Sequence, residues 1–259
     1  MKPAIRPLLA AAFLLVFTIA QSYADETAAV RSGYYYASPE TKAIQDDSFA
    51  NPGTLWVEAG EARWNQKDGS KGKSCNGCHD DPETLAEAVT GYPKYEPALD
   101  KPLTLGQRIN RCRVSHMDAK PYAPESEPLL SLEILLRAGA TGRPMQVAID
   151  GPMRPTFERG RQLYFQRRGQ FNLACHQCHD DRPGEFVRGE RLSEGQVNNF
   201  PAYLLRWSGV GSAQRRFQLC DAQARAEPRA IWSDDYVALE VYVAHRGRGL
   251  PIEAPAVRR

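Results

Sequence analysis

The run Cys175-His176-Gln177-Cys178-His179 constrains this chain more than any other stretch. In a C-x-x-C-H run two thiols can add across the vinyl groups of a porphyrin, and the adjacent histidine is then held beside the iron. The run recurs at Cys75-Asn76-Gly77-Cys78-His79, and one lone cysteine follows each copy, Cys112 after the first and Cys220 after the second. These positions account for all six cysteines of the 259 residues. The pattern predicts two covalently bound haem c groups, attached through Cys75, Cys78, Cys175 and Cys178, with His79 and His179 as iron ligands.

Two other uses of six cysteines compete with this reading. Disulfides suit an exported chain, and a Cys112–Cys220 bridge would join the two copies. Zinc can be held by paired cysteines, but each pair here has its own adjacent histidine instead of sharing a common downstream pair. Two full C-x-x-C-H runs favour haem over both.

The duplication extends well beyond the motif. Gly60-Glu61-Ala62-Arg63-Trp64 matches Gly160-Arg161-Gln162-Leu163-Tyr164, Gly69 matches Gly169, and Asp80-Asp81 after the first motif matches Asp180-Asp181. After an insertion in the second copy, covering roughly Arg182 to Asn198, Tyr92-Pro93 matches Phe200-Pro201 and Arg108-Ile109-Asn110 matches Arg216-Phe217-Gln218. Leu132-Glu133-Ile134 then matches Leu239-Glu240-Val241. A repeat of this length is one structural unit used twice. The expected fold is mainly α, with two tandem cytochrome c-like domains related by internal duplication, residues 51–150 and 151–259, behind an N-terminal arm at 25–50.

Each unit reads as an opening helix, the motif, a loop-rich middle and a closing helix. The opening helices are expected over Leu55 to Gln66 and Thr156 to Arg168, with Pro152 and Pro155 marking the second start. The closing helices are expected over Pro128 to Ala138 and over Asp234 to His245, the latter capped by Ser233. Nothing alternates long enough to demand a sheet. The tyrosines at 34, 35 and 36 are expected to pack locally against the first domain.

The sixth iron ligand is the open question. Carrier cytochromes commonly use Met or His there, but the last methionine of the chain is Met153, upstream of the second motif. Cys220 and His245 remain for the second site. Cys220 is favoured because Cys112 holds the equivalent place, whereas His245 aligns with Ala138 at a helix end, where a cation often only complements the helix dipole. In the first site Cys112 competes with His116, Met117 and Met145. A thiolate ligand lowers the iron potential and points to chemistry at sulfur. Arg216, one helical turn before Cys220, suits either an oxyanion substrate or a haem propionate, and beside the iron it would help hold the thiol as thiolate. Arg215 reads as solvated surface, His176 as an exposed polar residue, and the paired aspartates as caps or surface charge.

Residues 1–24 have a separate character. Lys2 and Arg6 precede an apolar run from Leu8 to Ala20, and Ser22-Tyr23-Ala24 supplies small residues at a cleavage site, the layout of a secretory signal peptide. The run is too short to span a bilayer. Cleavage after Ala24 removes both leader charges, so the formal net charge of +2 becomes zero. That argues against a nucleic-acid partner, which selects for a basic stripe.

Two C-x-x-C-H domains, each with a single downstream cysteine, the second inside Gln214-Arg215-Arg216-Phe217-Gln218-Leu219-Cys220-Asp221, resemble the SoxA family of sulfur-oxidising bacteria. The likeness covers essentially the mature chain, and keeping the first motif makes it similar to the dihaem form. It implies an L-cysteine S-thiosulfotransferase of the periplasm, partnered by a SoxX-type monohaem cytochrome c. Thiosulfate would be coupled oxidatively to a cysteine of the SoxYZ carrier, with electrons leaving through c-type haem. It further implies that Cys220 is the active-site cysteine, able to carry an extra sulfur as persulfide, and Arg216 the active-site arginine. The alternatives are a dihaem electron carrier without a substrate of its own, which a Met or His sixth ligand would favour, and, less well matched, a dihaem peroxidase.

Overall fold

The computed structural model describes residues 30–259; the leader, its cleavage site and the first residues of the arm lie outside the described residues. A 3-10 turn at Gly33–Tyr36 and α1 (Pro39–Asp46) form the arm. The first half follows with α2 (Thr54–Asn65), α3 (Asn76–His79), α4 (Ala86–Thr90), the hairpin β1 (Lys94–Glu96) and β2 (Lys101–Leu103), α5 (Leu105–Cys112) and α6 (Glu127–Ala138). The second half has α7 (Arg154–Phe165), α8 (Cys175–His179), β3 (Phe186–Val187), β4 (Glu190–Arg191), β5 (Ala202–Leu204), β6 (Gly209–Gly211), α9 (Ala213–Gln223), α10 (Asp234–Arg246) and β7 (Ala256–Arg258). The protein is mainly helical, and its helices fall within a few residues of the expected bounds.

Glycine sets how opening and closing helices meet. A Cβ on Gly60 would collide with the Ser131 carbonyl of α6, and one on Gly160 with the Ala238 carbonyl of α10. Their absence lets α2 lie against α6, and α7 against α10, at backbone contact. The apolar faces buried there include Trp64, Leu132 and Leu135 in one half and Leu163, Tyr164 and Leu239 in the other, within one continuous core. Gly69 and Gly169, both at positive φ, press in the same way on the carbonyls of Met117 and Ala224.

The strands are a finding that sequence alternation could not supply, because each has two or three residues. β1 pairs antiparallel with β2, and β5 with β6, at matching places in the two halves. β7 then adds parallel to β5. The arm also departs from expectation. It packs on the second half: the Tyr36 hydroxyl donates to Glu194 at 2.7 Å, and Gln45 accepts from the Val257 backbone N–H of β7 at 3.0 Å.

The halves meet at several places, among them α6 against β6, where Leu130 and Ile134 pack on Val210. Pro144 and Pro251, equivalent residues, form an antiparallel bridge, with Met145 N–H donating to the Leu250 carbonyl and Ile252 N–H to the Arg143 carbonyl, each at 2.9 Å. Between α6 and α10 lies a small polar hollow lined by Glu125, Glu133, Arg137, Gln214 and Glu240. Burial pushes Glu133 up to about 8 and Glu240 up to about 7 despite Arg137 beside them. The Gln214 amide donates to Glu240 at 2.8 Å and its oxygen accepts from Trp232 N–H at 2.7 Å. Among the described residues no helix is long and apolar enough to cross a membrane.

Candidate functional site

The second motif forms α8, started by Gln177, whose side chain reaches back to accept from the Ala174 N–H at 2.9 Å. This turn presents Cys175, Cys178 and His179 to a cavity of about 350 Å³. Its apolar lining comes from Leu163, Leu239 and Val243 of the helix pair and from Phe200 and Phe217. Cys220 and Arg216, one turn apart on α9, line the same cavity.

The imidazole of His179 is oriented from behind. Its Nδ1 lies 2.7 Å from the Ser193 carbonyl, which fixes Nδ1 as the donor and leaves Nε2 as the free lone pair. A Cβ on Gly195 would come within 2.9 Å of the ring, so only glycine permits this loop to back the imidazole so closely. Burial holds His179 below its ordinary value, in the neutral form that can ligate iron. A pocket with an apolar lining, two attachment thiols and an oriented neutral imidazole fits haem c. Cys175, Cys178 and His179 would hold it, with Cys220 available from α9.

The surrounding charges correct several expectations. Burial pushes the Cys220 thiol up, and the opposing pull of Arg216 does not reverse it. Arg216 pairs with Glu190 at 3.1 Å. Arg215 is not free surface: its guanidinium stacks 4.3 Å from the Trp207 ring centre. His176 is half-buried, 5.0 Å from the Phe165 ring. The Asp180 carboxylate accepts from Tyr164 at 2.7 Å and pairs with Arg246 at 2.6 Å, tying the end of α8 to α7 and α10. His245 is turned away, with Nδ1 at 3.1 Å from the Val147 carbonyl and its ring against Phe157.

In the first half, Cys75, Cys78 and His79 sit on and before α3, and Cys112 ends α5. Burial pushes Cys75 up to about 11, with Cys112 and Cys78 close enough to add to the rise. Trp64 donates from Nε1 to the Asp80 carbonyl at 2.8 Å and lies 6.0 Å from the His79 ring. Arg108 pairs with Glu96 at 2.8 Å. All six cysteines are unbridged. No group of three or more His, Cys, Asp or Glu side chains converges on a metal-sized site among the described residues.

Sequence reasoning missed Glu190, Ser193 and Gly195. All three lie in the insertion of the second copy, where the repeat offers no counterpart. Gly195 was the one readable signal, as a glycine shortly after a ligand-bearing motif.

Comparison with known proteins agrees with the geometry. A family model for the SoxA/TsdA cytochrome c domain matches residues 59–145. The L-cysteine S-thiosulfotransferase subunit SoxA of Pseudaminobacter salicylatoxidans is 41% identical over 88% of this chain and 80% of its own length. That of Rhodovulum sulfidophilum is 39% identical over 91% and 82%. The crystal structure of SoxXA from P. pantotrophus superposes with a TM-score of 0.85 at 35% identity, covering 89% of this chain and 87% of the other. The fold is therefore of cytochrome c type and the covalent cofactor is haem c. The likeness runs through both motifs and α9, and this chain belongs to the SoxA family.

Proposed function

We propose that the protein couples thiosulfate oxidatively to a cysteine of a SoxYZ-type carrier, with Cys220 and Arg216 as the reacting and binding residues. One observation carries this reading: α9 places a guanidinium and a thiol one turn apart on the wall of the cavity that presents the second C-x-x-C-H motif. Haem c held there by Cys175, Cys178 and His179 would supply an acceptor of single electrons, with a SoxX-type monohaem cytochrome as the partner that takes them.

Arg216 holds the sulfonate end of thiosulfate by charge-assisted hydrogen bonds. The Cys220 sulfur and the sulfane sulfur form a bond as two electrons are removed, giving a cysteinyl S-thiosulfonate. The carrier thiolate attacks the sulfane sulfur, the bond to Cys220 breaks, and Cys220 leaves as thiolate. In sum, thiosulfate and a carrier thiolate give the carrier S-thiosulfonate and two electrons. A persulfide on Cys220 would lengthen the same reacting arm by one sulfur.

The same reading assigns two haems, held by Cys75, Cys78 and His79 with Cys112 as sixth ligand, and by Cys175, Cys178 and His179 with Cys220. It also assigns the tandem origin of residues 51–150 and 151–259, and export to the periplasm with cleavage after Ala24. The repeat of glycine contacts, hairpins and motifs supports the duplication. His245, engaged with Val147, and the lack of a downstream methionine weigh against the plain electron carrier.

Intact mass of the exported protein tests the assignment of cofactors: two haems and a start at Asp25 are expected, and a single haem would remove the first site. Turnover with purified carrier and cytochrome tests the chemistry. Cys220→Ala should abolish it while leaving haem covalently attached; retained turnover would leave the electron-carrier reading standing.

A further inference from the structure

Glu190 has no counterpart in the first half, since it stands on β4 in the inserted hairpin. Its carboxylate is pinned between two guanidiniums, Arg216 of α9 at 3.1 Å and Arg206 of the 3-10 turn Leu205–Trp207. The side chain is only 12% exposed. A second nitrogen of Arg216, Nη1, is buried without a hydrogen-bond partner, so that guanidinium retains donor capacity.

This ion pair is also a partition. Glu190 and Arg216 line the cavity that holds Cys220 and, on their other side, a hollow of about 300 Å³ bounded by Tyr36 and Arg258. Glu190, with Arg188 of the hairpin turn, further bounds a third hollow of about 290 Å³ reaching Arg206 and Leu219. The hairpin is short, two residues a strand, turned at Arg188-Gly189 with both residues at positive φ, and its Phe186 is 69% exposed. Two contacts tie it to the body, the Glu190 carboxylate and the Arg259 guanidinium, which donates to the Gly189 carbonyl at 2.8 Å.

The geometry points to Glu190 as a resident anion: it occupies the Arg206–Arg216 fork until a tetrahedral sulfur oxyanion of charge two replaces it and frees the Glu190 side chain from the wall of the Cys220 cavity. The inference rests on the proposed role of Arg216 and names Arg206 as its partner. A carboxylate offers one negative charge and two acceptors. A dianion with three or four acceptor oxygens can bind both forks and the unused Arg216 nitrogen. A monoanion gains little over the carboxylate already present, so the device selects by charge as well as shape.

The test is calorimetric binding of sulfate, an unreactive dianion, to the full holoprotein, with nitrate as the monoanion control. Glu190→Gln keeps the side-chain size and removes the competing charge; it should bind sulfate about tenfold tighter than wild type, and its preference for sulfate over nitrate should shrink. Damage to the fold would not produce a gain in affinity. Equal or weaker sulfate binding by E190Q would overturn the inference, because Glu190 would then be ordering the arginines instead of competing for them. Arg206→Ala should weaken sulfate binding by about tenfold, and unchanged affinity would remove it from the fork. Arg216→Lys separates the two readings, with its haem spectrum confirming a native fold. If it binds sulfate as wild type does, the substrate role of Arg216 fails as well. If it loses binding while E190Q gains nothing, only the inference about Glu190 fails.

Discussion

Beside Cys112 in the first half, Arg113 pairs with Asp68 at 2.7 Å; beside Cys220 in the second, Asp221 pairs with Arg168 at 2.6 Å. The four residues occupy matching positions, so the same ion pair exists twice with its signs exchanged. Each is embedded in its own setting: Arg113 also donates to the Lys120 carbonyl and stacks on Tyr122, while Asp221 accepts from Tyr236 at 2.8 Å. The structural job, tying the strap after the opening helix to the helix carrying the lone cysteine, is preserved. The charge next to that cysteine is not. A cation adjoins Cys112 and an anion adjoins Cys220, and Asp221 helps raise the proton affinity of the Cys220 sulfur. A more basic sulfur is a better electron-pair donor, as the role proposed for Cys220 requires. A neighbouring cation suits the ligand role proposed for Cys112.

The largest effect should come from breaking this division of labour. Cys220→Ala should cost at least about 10³-fold in turnover, as expected when a nucleophile is removed. Cys112→Ala should cost less than about tenfold, by the same steady-state assay. Equal losses would mean that the halves share the chemistry.

Next is the frame that the halves have in common. Gly60→Ala and Gly160→Ala each drive a methyl group into a closing-helix carbonyl. Each should lower stability by about 1–3 kcal/mol in denaturant unfolding of the holoprotein. Markedly unequal losses would show that α2–α6 and α7–α10 are no longer equivalent.

Smaller still is the swapped pair itself. Asp221→Asn leaves Arg168 without its half-buried charge partner and should cost on the order of 2 kcal/mol. The double exchange Arg168→Asp with Asp221→Arg should recover part of that, since it reproduces the first-half arrangement. No recovery would mean that Tyr236 and Arg229, not Arg168, decide the sign at 221.

A pH dependence separates the shared interior from both sites. Glu133 and Glu240 have folded-state values of about 8 and about 7, raised by burial above the usual carboxylate range. The folded chain therefore holds more protons than the unfolded one between that range and about pH 8. Stability should fall as pH rises through this window, by at most about 1.4 kcal/mol per pH unit for each carboxylate. Glu133→Gln should flatten the slope, and an unchanged slope would locate the titrating group elsewhere.

The repeat made much of this legible from sequence. The two motifs, the helix pairs and the equivalence of Cys112 with Cys220 all follow from matched residues, and local periodicity was enough for α6 and α10. What could not be read is what the repeat lacks or what long-range packing decides. Glu190 and Gly195 sit in unmatched sequence, and their partners, Arg216 and His179, are decided by how the insertion folds back. Strands of three residues carry no alternation to detect. The arm at 30–46 shows no periodicity that names its destination, because its partners, Glu194 and Val257, are distant in sequence. Asp180 read as a cap because its partner Arg246 lies at the far end of α10.

The bridge between Pro144 and Pro251 has a meaning of its own. Arg143 to Met145 bonds to Leu250 to Ile252, and each segment is the counterpart of the other, which is the reciprocity of an isologous dimer contact. In two separate identical chains, any change to one face of such a contact is imposed on both. Joined in one polypeptide, the halves meet at the effective concentration of their linker, independent of how dilute the protein is. Each can then change alone. Under the proposed duplication and site roles, one half can keep a plain electron-handling pocket while the other acquires an extra hairpin, an exchanged ion pair and a reactive sulfur.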